Sequence, residues 1–209
     1  MRTPLLFVAA SGLAREAAAA AWAGEQYEPI GFLDDNAQRH GEIRSGLPVL
    51  GGIDQLAEHP DAAVLLCAGK GAGRAALAAR LNLEPERYAT LLHPSVSVGA
   101  GSHLGPGCVL LAGCVLTVDV RLGAHVVAMP NVVFTHDDVV ADCATLTAGV
   151  ALAGGVRIGE RAYLGTNSAV RENCTVGADA VIGMSAAVVC DVPAGETWVG
   201  VPARRMTAR

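Results

Sequence analysis

Residues 94–189 read, in blocks of six, PSVSVG AGSHLG PGCVLL AGCVLT VDVRLG AHVVAM PNVVFT HDDVVA DCATLT AGVALA GGVRIG ERAYLG TNSAVR ENCTVG ADAVIG MSAAVV. The sixteen blocks follow one another without an insertion, and each has an apolar residue in its fifth place. The third place is small or β-branched in every block except the one that holds Asp138. A period of six fits neither a helix nor a plain alternating strand, so it indicates a repeat of short strands and corners.

Three such blocks make one triangular coil, so the repeat predicts a stack of about five coils. Fifth-place side chains should fill the interior, and third-place side chains should point into corners where only small groups fit. This pattern is typical of the left-handed parallel β-helix, which we predict for residues 94–190. Residues 191–209 lose the period, and we interpret them as a C-terminal cap over the last apolar coil.

The composition excludes several classes of protein. The 209-residue chain has a formal net charge of −5 and no basic stripe, unlike a nucleic-acid-binding protein. It has no apolar run of membrane-spanning length and no secretory signal pattern at residues 1–10, so we expect a cytoplasmic protein. Cys108, Cys114 and Cys174 occupy the small third place, and the six cysteines show no zinc-binding spacing, which predicts free thiols.

Residues 1–93 alternate between strand and helix patterns, which predicts a parallel sheet with crossover helices. We interpret them as a Rossmann-like α/β domain. Because His93-Pro94 leads directly into the first block, the two domains should hold a fixed relative orientation. The predicted strands are 5–9, 30–33, 47–50, 62–67 and 88–92, and the predicted helices are 13–23, about 54–58, and one that ends near 82.

Three turns of this domain should lie at the carboxyl ends of its strands, where such sheets bind ligands. The sequence AASGLA at residues 9–14 has one glycine of a dinucleotide fingerprint, so it does not predict an NAD site. Together the turns suggest a pocket for a small polar ligand, although each could be only a turn. The candidate residues are Ser11, Gly12, Asp34, Asp35, Gly69 and Lys70.

His136 differs from the other five histidines because Asp137 and Asp138 follow it directly. A carboxylate beside an imidazole fixes its tautomer and stabilises its cation, as a general base requires. A solvated corner histidine is the alternative. A zinc site is poorly supported, because one histidine and two adjacent aspartates do not supply a three-histidine set. Asp138 occupies an inward place, so it must pair with His136 or another polar group, or the corner must be distorted.

The chain resembles the bacterial sugar acyltransferases of the sialic acid O-acetyltransferase type, which include nucleotide-amino-sugar N-acetyltransferases. The resemblance covers nearly the whole length. It is carried by the Ser-Gly turn, FLDD (Phe32–Asp35), the hexads, the His-acid pair, AGGVRIG (Ala153–Gly159) and GVPARRM (Gly200–Met206). The family usually has a histidine nine residues after the base and an asparagine seven residues before it, where this chain has Thr145 and Met129.

The resemblance implies a homotrimer with active sites between subunits and with acetyl-CoA as co-substrate, without a metal. His136 would be the base and Asp137 its partner. The α/β domain would hold the nucleotide of a nucleotide-linked amino sugar through the six candidate residues named above. The residues expected to contact the cofactor are Thr145, Gly154, Thr166, Met184 and Arg205.

We therefore expect an acetyl-CoA-dependent N-acetyltransferase that acts on a UDP-, dTDP- or GDP-linked amino sugar. O-acetylation of a sugar hydroxyl is the nearest alternative, because His136 would serve both reactions. A non-catalytic binding protein and a zinc-dependent hydratase on the same β-helix are more distant ones.

Overall fold

A computed structural model describes residues 1–207. The N-terminal strands are β1 (Thr3–Val8), β2 (Tyr27–Leu33), β3 (Ile43–Arg44), β4 (Leu47–Gly51) and β5 (Ala63–Leu66). They form one sheet in the order β3-β4-β2-β1-β5, parallel except for the edge strand β3. The expected Rossmann-like arrangement is confirmed. The helices are α1 (Gly12–Ala23) and α2 (Gly71–Leu81), and short 3-10 turns lie at Ala37–Arg39, Ile53–Glu58 and Pro85–Arg87.

Both helices have the ends that their sequences favour. Ser11 caps α1, and its side chain accepts a hydrogen bond from the backbone N–H of Ala14. Asn82 ends α2 in the left-handed conformation, which asparagine tolerates better than most residues. The alanine-rich face of α1 is buried, so the helix lies close to the sheet.

The predicted strand at residues 88–92 does not belong to the N-terminal sheet. Tyr88 makes a single bridge to Val64, whereas β6 (Leu91–Leu92) pairs with Val109 and Leu110 of the β-helix. The prediction was wrong because residues 88–93, YATLLH, already follow the period of six. The β-helix thus takes its first strand from the segment that we had assigned to the α/β domain.

The hexads form a parallel β-helix, as predicted. Every block contributes one two-residue strand from its fourth and fifth places, and strands 18 residues apart pair in register. The sixteen strands, β7 to β22, are Ser97–Val98, His103–Leu104, Val109–Leu110, Val115–Leu116, Arg121–Leu122, Val127–Ala128, Val133–Phe134, Val139–Val140, Thr145–Leu146, Ala151–Leu152, Arg157–Ile158, Tyr163–Leu164, Ala169–Val170, Thr175–Val176, Val181–Ile182 and Ala187–Val188.

The β-helix has three faces. Each face contains every third strand. Face 1 contains β6, β9, β12, β15, β18 and β21, face 2 contains β7, β10, β13, β16, β19 and β22, and face 3 contains β8, β11, β14, β17 and β20. At the C-terminal end, β23 (Thr197–Val199) extends face 1 and pairs with β24 (Arg204–Arg205). Residues 191–207 therefore cover the last coil, and residues 208–209 of the predicted cap lie outside the described part.

The second place of each block forms the corner, and from residue 101 to residue 185 it always has a positive φ. Asp119, Asn131, Asp137 and Asn167 occupy such places, as do several glycines. Glycine, asparagine and aspartate adopt this conformation most readily. The position of Asp137 is therefore partly explained by the corner itself.

The two domains share one core. Ala17 and Ala21 of α1 belong to the same buried cluster as Val109 and Val127 on face 1. A common apolar core fixes the relative orientation of the domains, as the direct linkage had predicted. Within residues 1–207, no helix is long and apolar enough to cross a membrane, and no group of three or more metal-ligating side chains is placed to hold an ion.

Candidate active site

His136 lies at the corner between β13 on face 2 and β14 on face 3. Its Nδ1 lies 2.9 Å from a carboxylate oxygen of Asp137. Both side chains are more than 60% exposed, at 64% and 68%. If Nδ1–H donates to the carboxylate, Nε2 carries the free lone pair that a base needs.

Gly154 lies directly above His136, one coil further along the chain. A Cβ atom at position 154 would come within 2.3 Å of Nε2 and 2.4 Å of Cε1 of His136. Only glycine leaves room for the imidazole in this position. His136 and Gly154 are therefore close neighbours within one chain.

The imidazole opens into a pocket of about 460 Å³. The sequence analysis missed Glu172 and Asn173 in its wall, although the repeat could have identified both. Glu172 is 36 residues after His136, and Asn173 is 36 after Asp137, so each occupies the same place two coils later. The pocket is lined by His136, Asp137, Gly154, Gly155, Arg157, Glu172 and Asn173.

Asp138 is fully buried and does not pair with the imidazole. Its Oδ2 accepts a hydrogen bond from Thr135 N–H at 2.9 Å, and its Oδ1 accepts one from Val156 N–H at 2.8 Å. Burial raises the pKa of Asp138 to about 7, although both hydrogen bonds and the nearby His136 oppose the rise. Of the alternatives left open by the sequence, pairing with another polar group is the one observed.

The turns of the α/β domain meet at the carboxyl ends of β1, β2 and β5. Ser11 Oγ donates to the carbonyl of Cys67 at 2.6 Å, which links the β1 turn to the β5 turn. Asp34 accepts from Ala10 N–H at 2.9 Å, which links the β2 turn to the same place. The structure therefore brings together the turns that carry the six candidate residues.

Asp34 and Asp35 have different surroundings. The buried Asp34 also accepts from Asn36 N–H and Arg39, and although burial alone would raise its pKa, these bonds keep the pKa below its ordinary value. Its oxygens are thus engaged in holding the turns. Asp35 is half-exposed, and its pKa is lowered mainly by its hydrogen bond to Arg80.

A second pocket, of about 700 Å³, lies between the α/β domain and face 1 of the β-helix. Gly69 and Lys70 form part of its wall from the α/β side. Thr145 lies in the opposite wall, almost fully buried. The remaining lining residues, which the sequence did not indicate as a group, are Leu13, Gly71, Ala72, Val127, Met129, Thr147, Arg161, Tyr163, Asp179 and Val181.

Known proteins resemble this chain in both sequence and structure. Residues 4–81 match the family model of the PglD N-terminal domain. A histidine-to-asparagine variant of perosamine N-acetyltransferase from Caulobacter crescentus, solved with CoA and GDP-perosamine, is 26% identical over 98% of this chain and 97% of its own, with a TM-score of 0.90. The acetyltransferase domain of PglB from Neisseria gonorrhoeae FA1090, solved with acetyl coenzyme A, is 28% identical over 99% and 100%, with a TM-score of 0.89.

These matches confirm the expected resemblance of the chain to the sugar acyltransferases of the sialic acid O-acetyltransferase type. WeeI from Acinetobacter baumannii AYE shares the fold at 24% identity over 97% of this chain and 99% of its own, with a TM-score of 0.83. No curated protein sequence matches the chain. The expected enzyme class and the expected two-part architecture are confirmed.

In this acyltransferase four of the five predicted cofactor-binding residues lie in three places, and the fifth, Thr145, lies in the pocket between the domains. Gly154 is beside His136, whereas Thr166 and Met184 are stacked one coil apart at the corner between faces 1 and 2. Met184 is 76% exposed, and Thr166 Oγ1 donates to Thr147 Oγ1 at 3.3 Å. Arg205 lies in β24 and forms an ion pair with Glu196. Within one chain of the acyltransferase these residues do not form a single cluster with His136.

The 460 Å³ pocket at His136 (the His136 pocket) and the 700 Å³ pocket between the domains (the domain pocket) share no residue. His136 lies at the corner between faces 2 and 3, and the domain pocket lies against face 1 on the opposite side of the triangular section. Thr145 therefore faces the α/β domain rather than the His136 of its own chain. The fold of a single chain does not bring the imidazole to Lys70 and Thr145.

Proposed function

We propose that the acyltransferase transfers an acetyl group from acetyl-CoA to the amine of a nucleotide-linked amino sugar, with His136 as the general base. The observation that carries the proposal is the exposed His136–Asp137 pair against Gly154, in a chain of this family. Acetyl-CoA is the donor, as in the PglB domain solved with it. The likeness to a perosamine N-acetyltransferase favours an amine over a hydroxyl as acceptor.

The proposed reaction uses the free Nε2 of His136. The acceptor nitrogen attacks the carbonyl carbon of the thioester while Nε2 takes a proton from it. The C–S bond then breaks, and CoA leaves as a thiolate that takes up a proton. Asp137 stabilises the imidazolium that forms, because its carboxylate remains hydrogen-bonded to Nδ1.

The nucleotide is proposed to bind at the turns of the α/β domain. A Cβ atom added at Gly12 or at Gly69 would meet nothing within 4 Å, so open space lies beside both turns. Lys70 is exposed at the N-cap of α2 and offers a cation to a phosphate. Ser11 and Asp34 hold the turns in place, and Asp35 is exposed enough to exchange Arg80 for a ligand hydroxyl.

A homotrimer would complete the site. The His136 pocket and the domain pocket lie on opposite sides of one β-helix. A three-fold arrangement would therefore place His136 of one subunit near the domain pocket of the next. Val118, one coil below the base at the same corner, is 39% exposed, as expected of an apolar side chain that a neighbouring subunit covers.

The role of His136 is tested by His136→Gln, which keeps a polar side chain without a basic nitrogen. We expect kcat to fall by about 10²–10⁴-fold when thiol release from acetyl-CoA is followed with amino-sugar nucleotides. Binding of the nucleotide, measured by titration calorimetry with UDP, dTDP and GDP, should not change. An undiminished kcat would remove His136 from the chemistry.

Subunit complementation tests the shared site. Ala72→Trp would fill the domain pocket from an exposed position on α2, and His136→Gln would remove the base. Each variant alone should be inactive, whereas mixed trimers formed by co-expression should regain part of the activity. Mixed trimers that stay inactive would contradict a site formed between subunits. A parallel assay with a hydroxyl acceptor in place of the amine distinguishes N- from O-acetylation.

A further inference from the structure

The ladder formed by the sixth-place N–H groups has one interruption, and it lies next to His136. In every block from Gly99 to Gly183 except one, the sixth-place N–H donates to a carbonyl of the coil above. The exception is Thr135, the residue before His136, whose N–H donates to Asp138 Oδ2 instead. Accordingly, β13 pairs with β16 only through Val133 and Ala151.

The same carboxylate also engages the coil above. Third-place N–H groups such as those of Val150, Ala162 and Ser168 donate to the carbonyl three residues earlier. Val156 N–H donates to Asp138 Oδ1 instead. Asp138 therefore joins the residue before His136 to a residue two places after Gly154, across the contact between the imidazole and Gly154.

We propose that Asp138 is a positioning residue for acetyl transfer, whose buried carboxylate holds His136 at a fixed distance below Gly154. The proposal depends on the role of His136 proposed above. Two charge-assisted hydrogen bonds from opposite sides set the separation of the two coils at this corner. An apolar third-place residue would let Thr135 return to the regular ladder and would move the imidazole with it.

The comparison with neighbouring coils shows that this arrangement is not needed for folding. The coils below and above have valine in the same place, Val120 and Val156, and both are fully buried. A buried carboxylate costs stability that valine does not. Thr135, whose N–H binds Asp138, also has its Oγ1 buried without a partner among the described residues. An arrangement that lowers stability beside a catalytic base points to a functional reason.

The matched variant is Asp138→Val, which gives this corner the residue of its neighbours. We expect it to keep or raise the melting temperature while kcat falls about 10- to 100-fold, because a shift of about 1 Å in a reacting group can cost about 10²-fold. The KM values for acetyl-CoA and the acceptor should change little. Asp138→Asn, which keeps the shape and one acceptor oxygen, should have an intermediate kcat. Ser168→Ala, at a buried third place on another corner, should leave kcat unchanged.

The pH dependence of stability gives a second test. The charged groups that act on Asp138 are His136 and Asp137, at its own corner. From the adjoining coils it is faced by two apolar residues, Val120 and Val156. Their neighbours in the chain, Arg121 and Arg157, are exposed. In the folded protein the pKa of Asp138 is about 7, above the value of 3.8 for an ordinary aspartate. The folded protein therefore loses stability relative to the unfolded chain as the pH rises from the ordinary pKa towards 7. The gain in melting temperature of Asp138→Val over the native protein should therefore be larger at pH 8 than at pH 5.

A double-mutant cycle separates this inference from the proposed function. In a His136→Gln background, adding Asp138→Val should cost no further activity, because Asp138 acts only through the imidazole. The inference is wrong if Asp138→Val alone has the native kcat, or if it costs as much with glutamine at 136 as with histidine. An unchanged kcat of His136→Gln would instead contradict the proposed base.

Discussion

The β-helix corner at His136 and the contact between the two domains at Arg74 place polar side chains in opposite surroundings, one exposed and one buried. The imidazole has one partner and is largely exposed. Arg74, on α2, is fully buried, and within residues 1–207 it bonds to carbonyls and a hydroxyl rather than to a carboxylate. Its guanidinium donates to the carbonyls of His125, Ala68, Gly69, Cys143 and Ala144 and to Thr145 Oγ1.

This difference shows how each region serves the enzyme. An exposed imidazole leaves Nε2 accessible to a substrate, as a general base requires. A guanidinium that meets six oxygens in a buried place fixes the two domains and holds the Gly69–Lys70 turn beside Thr145. Burial lowers the pKa of Arg74, although an arginine side chain is effectively always protonated in proteins.

The largest effect on stability is expected from a change at Arg74, in the contact between the two domains. Arg74→Met would leave several buried carbonyls without donors, and we expect a loss of about 3–5 kcal/mol in the free energy of unfolding. Chemical denaturation would measure it. The KM for the nucleotide sugar should also rise, because the Gly69 carbonyl loses its donor. Exposed Arg15→Met on α1 is the control, and a variant at 74 as stable as this control would contradict the assigned role.

A smaller and purely kinetic effect is expected from Gly154→Ala. The new Cβ would overlap the imidazole, so His136 must turn away, and we expect kcat to fall about 10- to 100-fold. The melting temperature should change little, because the imidazole can move into solvent. Gly24→Ala is the control, since its Cβ would lie 3.7 Å from the nearest atom. A native kcat for Gly154→Ala would show that the imidazole need not occupy this position.

The smallest effect is expected from Asp137→Asn. An exposed pair contributes about 0.2–1 kcal/mol, so we expect kcat to fall no more than about fivefold with unchanged stability. Steady-state kinetics at low and at moderate ionic strength would measure it, and the difference from the native enzyme should shrink with salt. A loss of several hundredfold would show instead that the pair is desolvated when substrates or a neighbouring subunit cover it.

Local patterns in the sequence predicted most of the fold. The unbroken hexads predicted the β-helix because each block must bury its own fifth-place residue. The strand at residues 88–92 was misassigned because the period of six already begins at residue 88, one block before the repeat that we had recognised. The corner place of Asp137 also follows from the repeat, since the second place requires a positive φ.

The sequence by itself determined the β-helix, the α/β domain before it and the neighbourhood of His136 and Asp137, because each depends on residues close together in the chain. Only the tertiary structure decided which oxygens surround Arg74. Five of them are carbonyl oxygens from two coils of the β-helix and from the turn before α2. It also decided that Asp138 accepts from Thr135 and Val156 rather than from His136. A backbone N–H or C=O can form a hydrogen bond whatever side chain its residue carries, so no sequence pattern marks these partners in advance.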